Sequence, residues 1–268
     1  MELADHVAVI TGGASGIGRA TALAMAGRGA DVVIADVNDD RMRDTVAELE
    51  ALGRRALGIR CDVSRDADLE RLAATSIREL GRVDLLMNNA GVVAGGPIER
   101  IDMATWDWII GINLLGPVRG VRAFLPHMLE RGSGYIVNTA SFAGLVAHNP
   151  LSIPYDTTKH GVVGLSAGLA LYLKPKGIGV SVVCPGYIQT NLPENYRFVG
   201  LPDSGVGPAR VPDQTHLPED LAGKIVEAVE AERFLILSQP EHKDVVVRRW
   251  QDIDRHIARQ IEILAQQP

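Results

Sequence analysis

The sequence predicts an α/β fold, one domain built on a doubly wound sheet of seven parallel strands. Three observations carry this. Short apolar runs alternate with helical stretches almost without interruption, a glycine-rich turn follows the first run at once, and no linker or internal repeat breaks the series. Such alternation implies parallel strands joined by right-handed crossovers, with helices on both faces.

The elements follow in order. Val7–Thr11 is a short apolar run, followed by a glycine turn and a helical stretch at 16–29. The run 31–36 reads as a second strand and 39–52 as a helix with a polar face. Strands at 57–62, 83–88, 134–141, 180–184 and 234–237 continue the series, with helices between them. The stretch 191–217 is rich in Pro and Gly, has neither a helical nor a strand period, and reads as a long loop of the functional kind. The domain is expected to span 1–240, with 241–268 as a helical extension of it. In that extension Val246, Trp250, Ile253, Ile257, Ile261 and Leu264 form one apolar stripe among charged residues, which predicts an amphipathic helix packed on the body or on a partner subunit.

Composition bounds the function. With 46% hydrophobic residues among 268, a sizeable core can form. A net charge of −6, from 27 basic and 33 acidic residues, argues against nucleic acid or an anionic membrane as the main partner. The start of the chain is acidic rather than basic, and the longest apolar stretch, 161–173, falls short of the roughly 20 residues a membrane helix needs. A cytoplasmic protein is expected. Cys61 and Cys184 lack metal-site spacing, each closes a strand, and both read as buried free thiols.

The turn Gly12-x-x-x-Gly16-x-Gly18, with Ser15 and Ile17 inside it, lies between the first strand and the first helix. Glycines let such a turn bring its backbone close to a pyrophosphate, and the helix N-terminus offers unpaired N–H groups and a favourable dipole. Asp36 ends the second strand, where a carboxylate meets the ribose of a dinucleotide and repels a 2′-phosphate. The nearest basic residue is Arg41, so NAD is expected over NADP; a capping role for Asp36 is the plainer alternative.

Tyr155 and Lys159 sit four apart at the start of a helical stretch and share one face. A free phenol titrates near ~10, and a neighbouring ammonium lowers that value, which would make the pair useful in proton transfer. Ser141 ends the fifth strand, and Asn88-Asn89-Ala90-Gly91 closes the fourth at the same sheet edge. Asn113 lies inside a helical run, where Asn is a poor helix former. Taken singly each has a structural explanation; together they point to one active site.

In these motifs, in unbroken order over about residues 3–237, the chain resembles the short-chain dehydrogenase/reductase family of Rossmann-fold enzymes. The residues carrying the resemblance are the glycine turn, Asp36, Asp62-Val63, the 88–91 stretch, Asn113, Ser141, Tyr155 with Lys159, and Pro185-Gly186 followed by Thr190. The resemblance implies that Tyr155 exchanges a proton with the substrate oxygen and that Ser141 fixes that oxygen. Lys159 would hold the nicotinamide ribose and depress the Tyr155 pKa, and Asn113 would anchor a water linking Lys159 to solvent. It places Asp62 and Val63 at the adenine, Asn89 and Gly91 along the cofactor groove, and Ile188 and Thr190 at the carboxamide, with no metal required. It also implies the strand order 3-2-1-4-5-6-7, which sets the two cysteines too far apart for a disulfide within one subunit.

The charged tail replaces the short ending common in the family, which favours a homodimer through helices containing 106–131 and 155–173 over the usual homotetramer. Ala143, Leu145 and Tyr187 suggest an apolar pocket for a secondary alcohol or ketone, with His148 a further polar contact. An NADP-dependent ketone or β-ketoacyl reductase, and a catalytically silent NAD-binding regulator, are the alternatives.

Overall fold

In the computed structural model, described for residues 1–147, 149–200 and 216–266, a seven-stranded sheet is flanked by helices on both faces. Its strands are β1 Val7–Thr11, β2 Asp31–Asp36, β3 Ala56–Arg60, β4 Leu85–Asn88, β6 Gly134–Thr139, β7 Ile178–Cys184 and β9 Leu235–Leu237. They run parallel in the order β3-β2-β1-β4-β6-β7-β9, the expected order once the short strand β5 Val93–Gly95 and the strand β8 Tyr196–Phe198 are set aside.

Because both faces are covered, the central strands are apolar at consecutive positions, as VAVIT and LLMN show. Alternate residues serve opposite faces. Ile10, Ile34 and Met87 meet Met25 of α1 Gly16–Ala26 and Leu221, Ile225 and Val229 of α7 Pro218–Glu230. Val9, Val33 and Leu86 meet Leu72 of α3 Asp66–Leu80 and Phe124 and Met128 of α5 Leu115–Arg131. Each such side chain, fully buried, contributes about 1.5–3 kcal/mol. Helix ends follow local chemistry. In α2 Asp39–Ala51 the Asn38 side chain accepts from the Arg41 amide at 3.0 Å, and α3 stops at Gly81 with φ +81°.

The parallel arrangement brings the C-terminal ends of β1, β2, β4, β6 and β7 to one edge, where open α/β sheets carry their crevices. Strand ends differ from the sequence reading by one or two residues, so Asp62 lies just past β3.

Three expectations change. The helical run containing 106–131 breaks at Leu114 into α4 Met103–Asn113 and α5, so Asn113 ends a helix rather than lying inside one. Together these helices are long and apolar enough to cross a membrane. Their buried residues Ile109, Phe124 and Met128 instead lie within the protein core. The stretch read as a loop at 191–217 contains β8, which pairs in parallel with β5, Tyr196 opposite Val93 and Phe198 opposite Gly95; residues 201–215 of that loop lie outside the described ones. Finally, the tail is two helices, α8 His242–Gln251 and α9 Ile253–Ala265. Asp252 is extended (φ −155°, ψ 94°) and accepts from the Arg255 amide at 2.9 Å, so an N-cap wins over helix continuation. Much of the apolar stripe stays uncovered by the body: Trp250 is 66% and Ile261 62% exposed, while Val246 and Leu264 are half-buried.

Candidate active site

The C-terminal sheet edge opens into a cleft of about 340 Å³. At one end, the glycine turn packs so closely that side chains are excluded. Gly12 has φ +61° and Gly16 φ +51°, and a Cβ on Gly12 would stand 2.8 Å from the Ala90 Cα. A Cβ on Gly18 would run into the Gly12 carbonyl; Gly18, expected among the cofactor-binding residues, shapes the turn and does not itself line the cleft. Ser15 caps α1 with no side-chain hydrogen bond, leaving the first-turn amides of Gly16 and Ile17 beside the cleft.

Asp36 faces the same end. Its carboxylate accepts from the Ala14 amide at 3.1 Å and the Asn38 amide at 3.0 Å, and Asn38, not Asp36, caps α2. Asp62 and Val63 form the adjoining wall, Asp62 accepting from both the amide and hydroxyl of Ser64. Arg41 lines this end too, its guanidinium paired through two hydrogen bonds, 2.9 and 3.1 Å, with Glu194. Asn89, Gly91, Pro185, Gly186, Ile188 and Thr190 line the remainder.

A hydrogen-bond chain ties the glycine turn to the lysine. Asn89 donates to the Gly12 carbonyl at 3.1 Å and accepts from the Thr139 hydroxyl at 3.2 Å. The Thr139 carbonyl in turn accepts from Lys159 Nζ at 2.9 Å. Tyr155, Lys159 and Ser141 all face the cleft, and the ammonium lies 5.6 Å from the phenol ring centre. Both groups come from α6 Ile153–Leu173.

The expected effect of Lys159 on the phenol is not what governs it. Burial pushes Tyr155 up to about 12, opposed by its hydrogen bond with Ser141. Burial likewise brings Lys159 down to about 8. The phenol is therefore a proton donor at neutral pH, beside a serine hydroxyl and a buried amine.

Asn113 is 1% exposed and does not reach the cleft. Its carboxamide bonds both backbone groups of Val92, at 2.9 and 2.8 Å, and its Oδ1 stands with the Lys159 Nζ beside the point a Gly91 Cβ would occupy, 3.4 and 3.5 Å from it. Ala143, Leu145 and Tyr187 do not line the cleft, and His148 lies outside the described residues. Cys61 and Cys184 are both free and buried.

Sequence reasoning missed Tyr196. It sits on β8 within electrostatic reach of both Tyr155 and Tyr187. The aromatic alternation Tyr196-x-Phe198 was the available signal, obscured by the surrounding Pro and Gly. Glu194 was missed because its partner is 153 residues away.

The turn, the strand-end carboxylate and the uncapped helix fit a dinucleotide: the close-packed glycines leave backbone amides, not side chains, facing the phosphate end. Comparison with known proteins agrees. The family profile described as short chain dehydrogenase matches residues 6–197. The chain is 39% identical over 217 residues to (2S)-[(R)-hydroxy(phenyl)methyl]succinyl-CoA dehydrogenase subunit BbsD of Thauera aromatica, covering 80% of this chain and 87% of the relative. It is 35% identical to a 3-oxoacyl-[acyl-carrier-protein] reductase of Synechocystis sp., covering 83% and 88%. Among solved structures, a short chain dehydrogenase/reductase from Burkholderia phymatum in complex with NAD superposes with a TM-score of 0.85, at 36% identity over 95% of this chain and 96% of that one.

Proposed function

The chain belongs to the short-chain dehydrogenase/reductase family of oxidoreductases, and from that premise we propose that it is an NAD-dependent dehydrogenase of hydrophobic secondary alcohols, working with Tyr155 as acid and base. The observation that carries this reading is the convergence of the Tyr155 phenol, the Ser141 hydroxyl and the Lys159 amine at the end of a cleft floored by the glycine turn.

NAD, when bound, supplies the hydride acceptor. Gly12, Ser15, Gly16 and Ile17 would hold its phosphates, Asp36 its adenosine ribose, Asp62 and Val63 its adenine, and Ile188 and Thr190 its carboxamide end. In reduction the Tyr155 phenol gives its proton to the carbonyl oxygen; in oxidation it first releases that proton toward solvent by way of Lys159 and, as the phenolate, takes the proton of the alcohol oxygen. Ser141, already hydrogen-bonded to the phenol, donates to or accepts from that oxygen and fixes its place. Lys159 would hold the nicotinamide ribose and passes the proton outward, with Asn113 bracing the Gly91 wall next to it. No metal is called on.

Tyr196, within electrostatic reach of the phenol, and Tyr187 beside it bring aromatic rings toward this end of the site, which favours a hydrophobic alcohol. The hydroxy(phenyl)methyl group in the name of the Thauera relative puts 1-phenylethanol first on a substrate panel. Partners are the small-molecule substrate and a second copy of the chain. We place that contact on α4, α5 and α6, which leave Met103, Leu129, Leu171 and Tyr172 exposed. The two buried thiols suit a reducing cytoplasm.

The test is NADH formation from secondary alcohols. Tyr155→Phe is expected to lower kcat by about 10²–10⁴-fold with NAD binding intact. A variant that keeps full activity refutes the assignment. A second reading, an NADP-dependent reductase like the Synechocystis relative, draws on Arg41, a cation lining the ribose end of the cleft. Its pairing with Glu194 and the adjacent Asp36 carboxylate favour NAD. Tighter binding of NADP than NAD in a direct titration would reverse that choice.

A further inference from the structure

The turn that carries Ser141 is held from two sides. Ser141 caps the helical turn Phe142–Gly144, its Oγ accepting from the Ala143 amide at 3.1 Å. On the inner side, Gly144 lies so close to the Lys159 carbonyl that no Cβ would fit. On the outer side stands the tail. The Phe142 ring stacks on the His242 imidazole with centroids 4.0 Å apart and planes inclined by 22°. Arg249 donates to the Leu145 carbonyl at 2.6 Å, its guanidinium lying over the Trp250 ring at 4.9 Å.

The second segment flanking the site is tied to the same stretch of chain. The Gly186 amide donates to the Ser238 hydroxyl at 2.8 Å, and Gly186 faces Gln239 and His242 with no room for a side chain. The Pro185 carbonyl accepts from the Phe142 amide at 2.7 Å, so the two segments also hold each other. The matching family profile ends at residue 197, short of all these tail residues.

We propose that α8 is a brace for the catalytic serine: Arg249 and His242 are positioning residues that press the Ser141 turn onto the Tyr155–Lys159 helix and thereby set how a bulky substrate is placed. This rests on the dehydrogenase reading for its kinetic consequence but not for the brace itself. Arg249 acts through Leu145 and His242 through Phe142; neither touches the cleft.

Two measurements on the full chain test it. In Arg249→Ala, amide hydrogen exchange of residues 143–146 is expected to quicken about tenfold, with α3 amides unchanged. With NAD saturating, KM for 1-phenylethanol is expected to rise about fivefold while kcat falls less, and 2-propanol kinetics and NAD affinity stay put. Arg249→Lys, which keeps a donor, restores both values, and His242→Phe, which keeps a stacking ring, guards against a variant that fails to fold. Unchanged exchange at 143–146 in Arg249→Ala overturns the brace. Changed exchange with unchanged KM for the aryl alcohol overturns its role in substrate placement. If the wild-type protein oxidises neither alcohol, the dehydrogenase reading fails, and the exchange comparison still decides the brace.

Discussion

Lys159 and Tyr155 titrate in opposite directions from their ordinary values, and stability records both. Lys159 falls to about 8 in the folded protein, so between that value and its ordinary 10.5 the unfolded chain binds the extra proton, and folding gains as pH rises through that window. The cost of burying the ammonium is present in full below the window. Tyr155 rises from 10 to about 12, so the folded state keeps its proton longer and stability falls across that later interval. Lys159→Met is therefore expected to be more stable than the wild type near neutral pH, by an amount that shrinks as pH approaches 10.5. Denaturant midpoints across pH read this directly, and a constant difference would contradict it. The residue types were legible from the sequence because chemistry dictates them: a phenol, an amine, a hydroxyl and a strand-end carboxylate. Their titration was not, since desolvation depends on neighbours brought in by the fold. Tyr196 was hidden for the same reason: its partners Tyr187 and Tyr155 are assembled only when β8 pairs with β5.

Elements with local causes were readable and those with remote causes were not. The glycine turn could be placed because strand, turn and helix are consecutive in the chain. Gly18→Ala sets a methyl group against the Gly12 carbonyl, where backbone cannot yield as a side chain would. It is expected to cost about 1–3 kcal/mol and to weaken NAD binding, both measured in one thermal-shift titration. By contrast β8 is three residues long and exists only through pairing with a strand about a hundred residues earlier. The break at Asp252 was legible in principle, since Asp prefers a cap, but the stripe continues through it and masked the stop. The segment after β7 is also fastened to α2 by the Arg41–Glu194 pair, across the ribose end of the cleft. Exposed pairs are worth roughly 0–1 kcal/mol, so Glu194→Gln is expected to speed NAD release a few-fold at most. Added salt should narrow that difference between variant and wild type in stopped-flow displacement.

At the scale of the whole molecule a doubly wound parallel sheet was legible because strands alternate with helices, while the strand order came with the family resemblance. The position of the cleft followed from it. What no pattern could tell was which face of the tail meets the body, because an amphipathic stripe states that a surface wants covering without naming the cover. The contact runs instead through His242 and Arg249. The exposed side chains of α5 and α6 bear on assembly: Leu171 is 83% exposed, and Leu171→Asp is expected to shift a dimer toward monomer in sedimentation velocity while leaving the fold intact. A variant that sediments as the wild type would remove α6 from the interface. The absence of space at Gly186 reaches beyond this chain's own chemistry. Any attempt to enlarge the pocket by diversifying that position would first dislodge residues more than fifty places downstream. Hybrid enzymes assembled from relatives would therefore have to inherit Phe142, Gly186 and the closing helices as one cassette.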